Sequence, residues 1–186
     1  MMNTYLLLHP SSAVIVEKIF KNINDEGFEI KEAYRIKEWN KLLDNLYKNT
    51  YLKAETIKMH VHAHAFLNNY LYGNSGILLI LYKNEDYNTM IKDTLNLKKS
   101  IRSSMNKTKD GTISIRMNLK GIFSEGEYKE LLCSKINDDE KVFLSYVHCP
   151  DTREQYIEDF SLFNSMDLRR LDIHDIESIL KYHSYL

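Results

Sequence analysis

The stretch GILLILY, residues 76–82, constrains this chain more than any other. Its unbroken apolarity requires burial, and it is too short to span a membrane as a helix. Ser75 before it and Lys83-Asn84 after it bound the run, which reads as the most central strand of a sheet. The neighbouring elements follow from periodicity. YLLL at 5–8 is a short buried strand closed by His9-Pro10, and Pro10-Ser11-Ser12 turns the chain into a helix. In that helix Val16, Ile19, Phe20 and Ile23 recur at helical spacing, and Gly27 stops it. FEIKEAYRI, 28–36, alternates as a second strand, and Trp39, Leu42, Leu43 and Leu46 mark a helix over 38–48.

The second half is read the same way. Residues 49–72 read as helical, and Asp86 to about Arg102 forms a helix with Tyr87, Ile91, Leu95 and Leu97. Residues 105–141 are a long polar stretch in which TISIRMNL alternates like an edge strand. KVFLSYVH, 141–148, reads as a fourth core strand. Cys149-Pro150-Asp151 then turns into a helix with Tyr156, Ile157, Phe160 and Phe163 on one stripe. Asp151 is the expected N-cap. A last helix is expected from about Asp172 to Tyr182. The order β-α-β-α-α-β-α-loop-β-α contains βαββαβ, which predicts a ferredoxin-like α/β fold: an antiparallel sheet covered by helices on one face.

With 186 residues, 44% of them hydrophobic, the chain supports one domain over 1–186: a core of about 3–163 and a C-terminal helical extension over 164–186. Lys and Arg total 25 against 26 Asp and Glu, which argues against a broad nucleic-acid surface and leaves room for a local anion pocket. The two cysteines, Cys133 and Cys149, need not pair, and the N-terminus lacks a signal-peptide pattern. A cytoplasmic protein without a membrane segment is the expectation.

Two histidine groups invite chemistry. MHVHAHAF, 59–66, places His60, His62 and His64 at alternate positions. On a strand all three share a face and suit zinc; on a helix only His60 and His64 converge, with Glu55 as the close carboxylate. A polar surface is the plainer reading. The second is the solitary His148 in YVHCPD, at a strand end before a helix that carries Asp159 eleven residues on. A nucleophilic histidine has to be neutral and held in one tautomer, and a carboxylate on its other nitrogen does the holding. The plainer reading of His148 is a packed or capping residue. Cys149 beside it has no evident base of its own.

Three segments in order, TYLLLHPSSA with NDEGFEI, FLNNYLYGNSGILLILYKNED, and SYVHCPDTREQYIEDFSLF, resemble nucleoside diphosphate kinases over roughly residues 3–163. The resemblance implies ping-pong phosphoryl transfer through a phosphohistidine. His148 falls at the family's nucleophile, Asp151 at the Asp of its His-Gly-Ser-Asp signature, and Asp159 at its orienting Glu, one methylene shorter. Tyr47 matches a nucleotide-site Tyr, Phe66 the Phe that stacks on the base, Ser104 a phosphate-binding Thr, and Gly111-Thr112 the start of Gly-Thr-Ile-Arg. Departures concentrate on phosphate recognition. The family's Lys-Pro is His9-Pro10, its helix Arg is Lys98, and the Arg of Gly-Thr-Ile-Arg is Ser114, with Arg116 two residues on as a stand-in. Insertions lie between Tyr47 and Phe66 and between Thr112 and His148, and the resemblance puts the His triplet in or beside the lid over the base, which implies contact with a base, ribose or phosphate as a further reading.

The resulting expectation is a phosphotransferase that moves the terminal phosphoryl group of a nucleoside triphosphate to a nucleoside diphosphate or related acceptor. His148 and Asp159 are catalytic; Tyr47, Phe66, Lys98, Arg102, Ser104, Thr112, Arg116 and His9 hold the nucleotide. Mg²⁺ arrives with the nucleotide, and the resemblance implies a homo-oligomer. The alternatives are a catalytically inactive nucleotide-binding module of the same fold, motivated by the missing Lys and Arg, and a metal-binding protein built on His60, His62 and His64.

Overall fold

A computed structural model of the chain describes residues 3–46, 76–103, 113–116, 141–144, 147–176 and 178–179. In chain order the elements are β1 (Asn3–Leu8), a 3-10 turn (Pro10–Ile15), α1 (Val16–Asp25), β2 (Glu29–Ile36), α2 (Trp39–Leu46), β3 (Gly76–Tyr82), α3 (Tyr87–Ser103), β4 (Ile113–Arg116), β5 (Lys141–Leu144), β6 (Val147–His148), α4 (Arg153–Asn164), β7 (Leu168–Leu171) and a second 3-10 turn (Ile173–Asp175).

The main sheet has the order β6-β1-β3-β2-β7, and every neighbouring pair is antiparallel. Without β7 this is the ferredoxin-like arrangement expected from the sequence. GILLILY is its middle strand, flanked by β1 and β2. The sheet is covered on both faces, where one covered face was expected. Leu6, Leu8, Leu79 and Leu81 pack with α1 and α3 on one side. Tyr5, Leu7, Leu78 and Ile80 pack with Trp39, Leu42, Leu43 and Phe163 of α2 and α4 on the other. A strand apolar at every position has no solvent side, so both layers are needed.

Three expectations are corrected here. KVFLSYVH is not one core strand: Lys141–Leu144 pairs with β4 in a separate two-stranded ribbon, and Val147–His148 alone joins the main sheet, beside Leu8 and Leu7. The proposed extension is not wholly helical, because Leu168–Leu171 adds a fifth strand along β2. Four residues are too few for periodicity to reveal. Finally, Ile157 is 57% exposed, while Asp159 takes a buried place on α4.

Two turns are set by local chemistry. After α1, Gly27 adopts φ 74°, and the Phe28 N–H reaches the Ile23 carbonyl at 3.0 Å, closing the helix. At the start of α3, Asp86 accepts from the Asn88 and Thr89 amides at 2.9 and 3.2 Å and from the Thr89 hydroxyl at 2.5 Å. These donors, chiefly the Thr89 hydroxyl, hold the Asp86 carboxyl below its ordinary value of 3.8. Gly76 is required for another reason. A Cβ there would lie 2.0 Å from Trp39 Cζ3, so the indole seats directly on the strand backbone.

Gly76→Ala is therefore expected to destabilise the fold by about 1–3 kcal/mol or more, read as a lower urea midpoint. The Asp86 contribution is present above the ordinary carboxylate value and lost as pH falls through its depressed folded value. Wild type is accordingly expected to lose more stability than Asp86→Asn, which caps without titrating, as pH falls from the ordinary carboxylate value through the depressed one; parallel acid-unfolding curves across that window would contradict this.

Candidate functional site

β1 places alternate side chains on alternate faces, and its register decides which groups meet. Leu7 opposes His148 across the β1–β6 pair, and Tyr5 opposes Ile80 across the β1–β3 pair. Tyr5, Leu7 and His148 thus share the face covered by α4. The Tyr5 and His148 rings stack with centroids 6.2 Å apart. Phe160 and Phe163 meet Tyr5 edge-on at 5.9 and 4.9 Å. Helix α4 presents Gln155, Asp159 and Phe163 at successive i+4 positions on its inward face.

This packing assembles a buried polar cluster. The Tyr5 hydroxyl donates to Asp159 Oδ2, and the same oxygen lies 3.9 Å from His148 Nε2. Gln155 Nε2 stands 3.4 Å from that ring nitrogen. His148 and Asp159 are 7% and 5% exposed, so solvent screens their interaction weakly. The Asp159–His148 separation exceeds a hydrogen bond, so the carboxylate and the ring face each other without bonding.

The start of α4 is pinned by two bonds. Thr152 is the N-cap, its hydroxyl accepting from the Gln155 amide at 3.2 Å. The Gln155 side chain accepts from the Asp151 amide at 2.9 Å through Oε1, which turns its Nε2 toward His148. Asp151 is thus not the N-cap expected of it; its carboxylate binds Lys98 Nζ at 2.5 Å. The cap falls one residue later because Thr152 is the residue whose oxygen reaches the third helical amide.

The structure brings together His148 and Asp159, and it brings Lys98 of α3 to Asp151, three residues beyond His148. His9 is buried at the end of β1, edge-on to Trp39 at 5.0 Å. Arg102 lies in the last turn of α3, and Arg116 lies in β4 opposite Lys141. Tyr47, Phe66, Ser104, Thr112 and the triplet His60, His62 and His64 fall outside the described residues. Among the described residues no three His, Cys, Asp or Glu gather as a metal site. Cys149 sits on the opposite face of the sheet, buried in the α1–α3 cluster, its thiol donating to the Thr94 carbonyl at 3.6 Å.

Tyr5 and Gln155 were not anticipated. Tyr5 reads as one more apolar residue in YLLL, and nothing in the run announces its hydroxyl's partner 154 residues away. Gln155 carried a local signal, four residues before Asp159 on the same helix face.

Comparison with solved structures finds nucleoside diphosphate kinases. The Aquifex aeolicus enzyme is 11% identical with a TM-score of 0.43, covering 87% of this chain and 93% of its own. An NDP kinase from Pyrobaculum aerophilum is 11% identical with a TM-score of 0.46, covering 87% and 94%. No family model matches the chain, and no curated protein matches it. Among the described residues, no helix is long and apolar enough to cross a membrane.

Because the Thr152 cap orders the turn that carries Gln155, Thr152→Ala is expected to cost about 1 kcal/mol of stability. It should also broaden or shift the His148 ring resonances in an NMR spectrum. Unchanged stability would show that the cap bond contributes nothing.

Proposed function

We propose that this protein transfers a phosphoryl group through His148. The observation that carries the reading is the buried cluster in which His148 Nε2 faces both Asp159 Oδ2 and Gln155 Nε2. The carboxylate favours the tautomer with its proton on Nε2, which leaves the Nδ1 lone pair to attack; Gln155 Nε2, itself a donor, packs beside the ring and does not bond that proton. The resemblance of SYVHCPDTREQYIEDF to the nucleoside diphosphate kinase motif supports the same assignment.

In the first half-reaction the His148 Nδ1 lone pair attacks the terminal phosphorus of a nucleoside triphosphate. The P–N bond forms as the bond to the bridging oxygen breaks, and the diphosphate leaves with that electron pair. Asp159 stabilises positive charge growing on the ring. In the second half-reaction an oxygen of the acceptor's terminal phosphate attacks, and the P–N electrons return to the ring. The substrates are magnesium complexes of the nucleotides, so the metal travels with them.

Phosphate recognition differs from what an arginine-rich cleft would provide. Lys98 is a point charge without the bidentate fork of Arg, and Asp151 already holds it. An incoming phosphate competes with Asp151 for this ammonium. Arg102, Arg116, Ser104, Thr112 and His9 remain the other proposed phosphate contacts, with Tyr47 and Phe66 at the nucleotide. Nucleoside diphosphate or a related phosphate-bearing acceptor fits this set, and a homo-oligomer is the proposed assembly. Retention of a nucleotide without turnover is the second reading, and the engagement of Lys98 by Asp151 is the observation that favours it.

The test is incubation with ATP and Mg²⁺ followed by intact-mass analysis. One acid-labile phosphoryl adduct is expected, absent in His148→Ala, and formed about a hundredfold more slowly or worse in Asp159→Asn. Nucleotide bound with no adduct on wild type would favour the binding module. An adduct surviving His148→Ala would remove the site assignment.

A further inference from the structure

We propose that Tyr5 is a positioning residue for His148, acting through Asp159, a role that deepens the phosphotransfer reading and rests on it. Asp159 Oδ2 accepts the Tyr5 hydroxyl and is also the oxygen nearest His148 Nε2, at 3.9 Å. One carboxylate oxygen therefore serves a donor on β1 and the ring on β6. The Tyr5 ring is fully buried against Phe160 and Phe163, so its hydroxyl has a fixed direction.

One consequence follows from this geometry. The hydroxyl draws charge from Oδ2, the oxygen nearest the ring, and so tempers the carboxylate's pull on the imidazole across 3.9 Å. A phosphoryl-accepting histidine has to be neutral, so an undamped anion beside it would withdraw the nucleophile by keeping it protonated. Tyr5 lets a short aspartate orient the ring without over-stabilising imidazolium.

The charged and titratable groups around this end of the sheet, among the described residues, are Asp159 on α4, Tyr5 on β1, His9 at the end of β1, and the Lys98–Asp151 pair that links α3 to the turn after β6. The variants below alter Tyr5 and Asp159 alone.

The experiment is an NMR titration of the His148 ring, its signal assigned by loss in His148→Ala. Tyr5→Phe keeps the packing ring and is expected to raise the His148 pKa by about 0.5–1 unit. Asp159→Asn is expected to lower it, and adding Tyr5→Phe to Asp159→Asn should move it no further, because the hydroxyl acts through the carboxylate. Should Tyr5→Phe fail to fold by circular dichroism, 3-fluorotyrosine placed at position 5 supplies a stronger donor and is expected to lower the pKa. An unchanged titration in the folded Tyr5 variant, or an equal shift with and without Asp159, overturns the proposal. The acid limb of adduct formation should shift with the same sign. If wild type forms no adduct, the phosphotransfer reading falls, while the titration still decides the role of Tyr5.

Discussion

The register of β1 governs both the core and the site. This strand lies between β6 and β3, and its side chains alternate between two helical layers. Leu6 and Leu8 go to the α1–α3 side, and Tyr5 and Leu7 to the α2–α4 side. A slip of one residue would send the Tyr5 hydroxyl into the α1–α3 layer, where Asp159 is not, and would lift Leu7 from its place beside His148. Burial on both faces makes such a slip costly, because every residue of the strand from Thr4 to Leu8 is buried.

The two faces of the sheet then carry different chemistry. Val147 and Cys149 turn to the α1–α3 layer, while His148 between them turns to α4. Alternation separates the thiol from the imidazole although they are adjacent in sequence, which removes a cysteine-based mechanism from this pair. The turn after β6 joins the faces: Asp151 binds Lys98 from one layer, while its amide binds Gln155 in the other. The Lys98 ammonium and the Gln155 amide beside the imidazole therefore meet in one residue.

Much of the sheet was legible along the chain. GILLILY is the middle strand, YLLL is its neighbour, and α1 closes at Gly27. These are features in which each residue's pattern reports its own burial. The breaks were not legible. KVFLSYVH divides between two sheets because pairing partners, not apolarity, decide where a strand ends. β7 escaped notice because an edge strand of LRRL needs only its backbone to join β2. The exposure of Ile157 has the same origin, since α4 turns Gln155 and Asp159 inward to meet polar groups on the sheet.

For the candidate site, the sequence supplied the pair His148 and Asp159 through its resemblance to the nucleoside diphosphate kinase motif, one at a strand end and the other on the helix that follows. Tertiary structure alone decided what surrounds them. Tyr5 reaches Asp159 across 154 residues, Thr152 rather than Asp151 caps α4, and Asp151 takes Lys98. Local spacing constrains what neighbours along the chain can do. A hydroxyl buried in a strand acquires its partner only when the sheet's register and the helix packed across it bring the two to the same place.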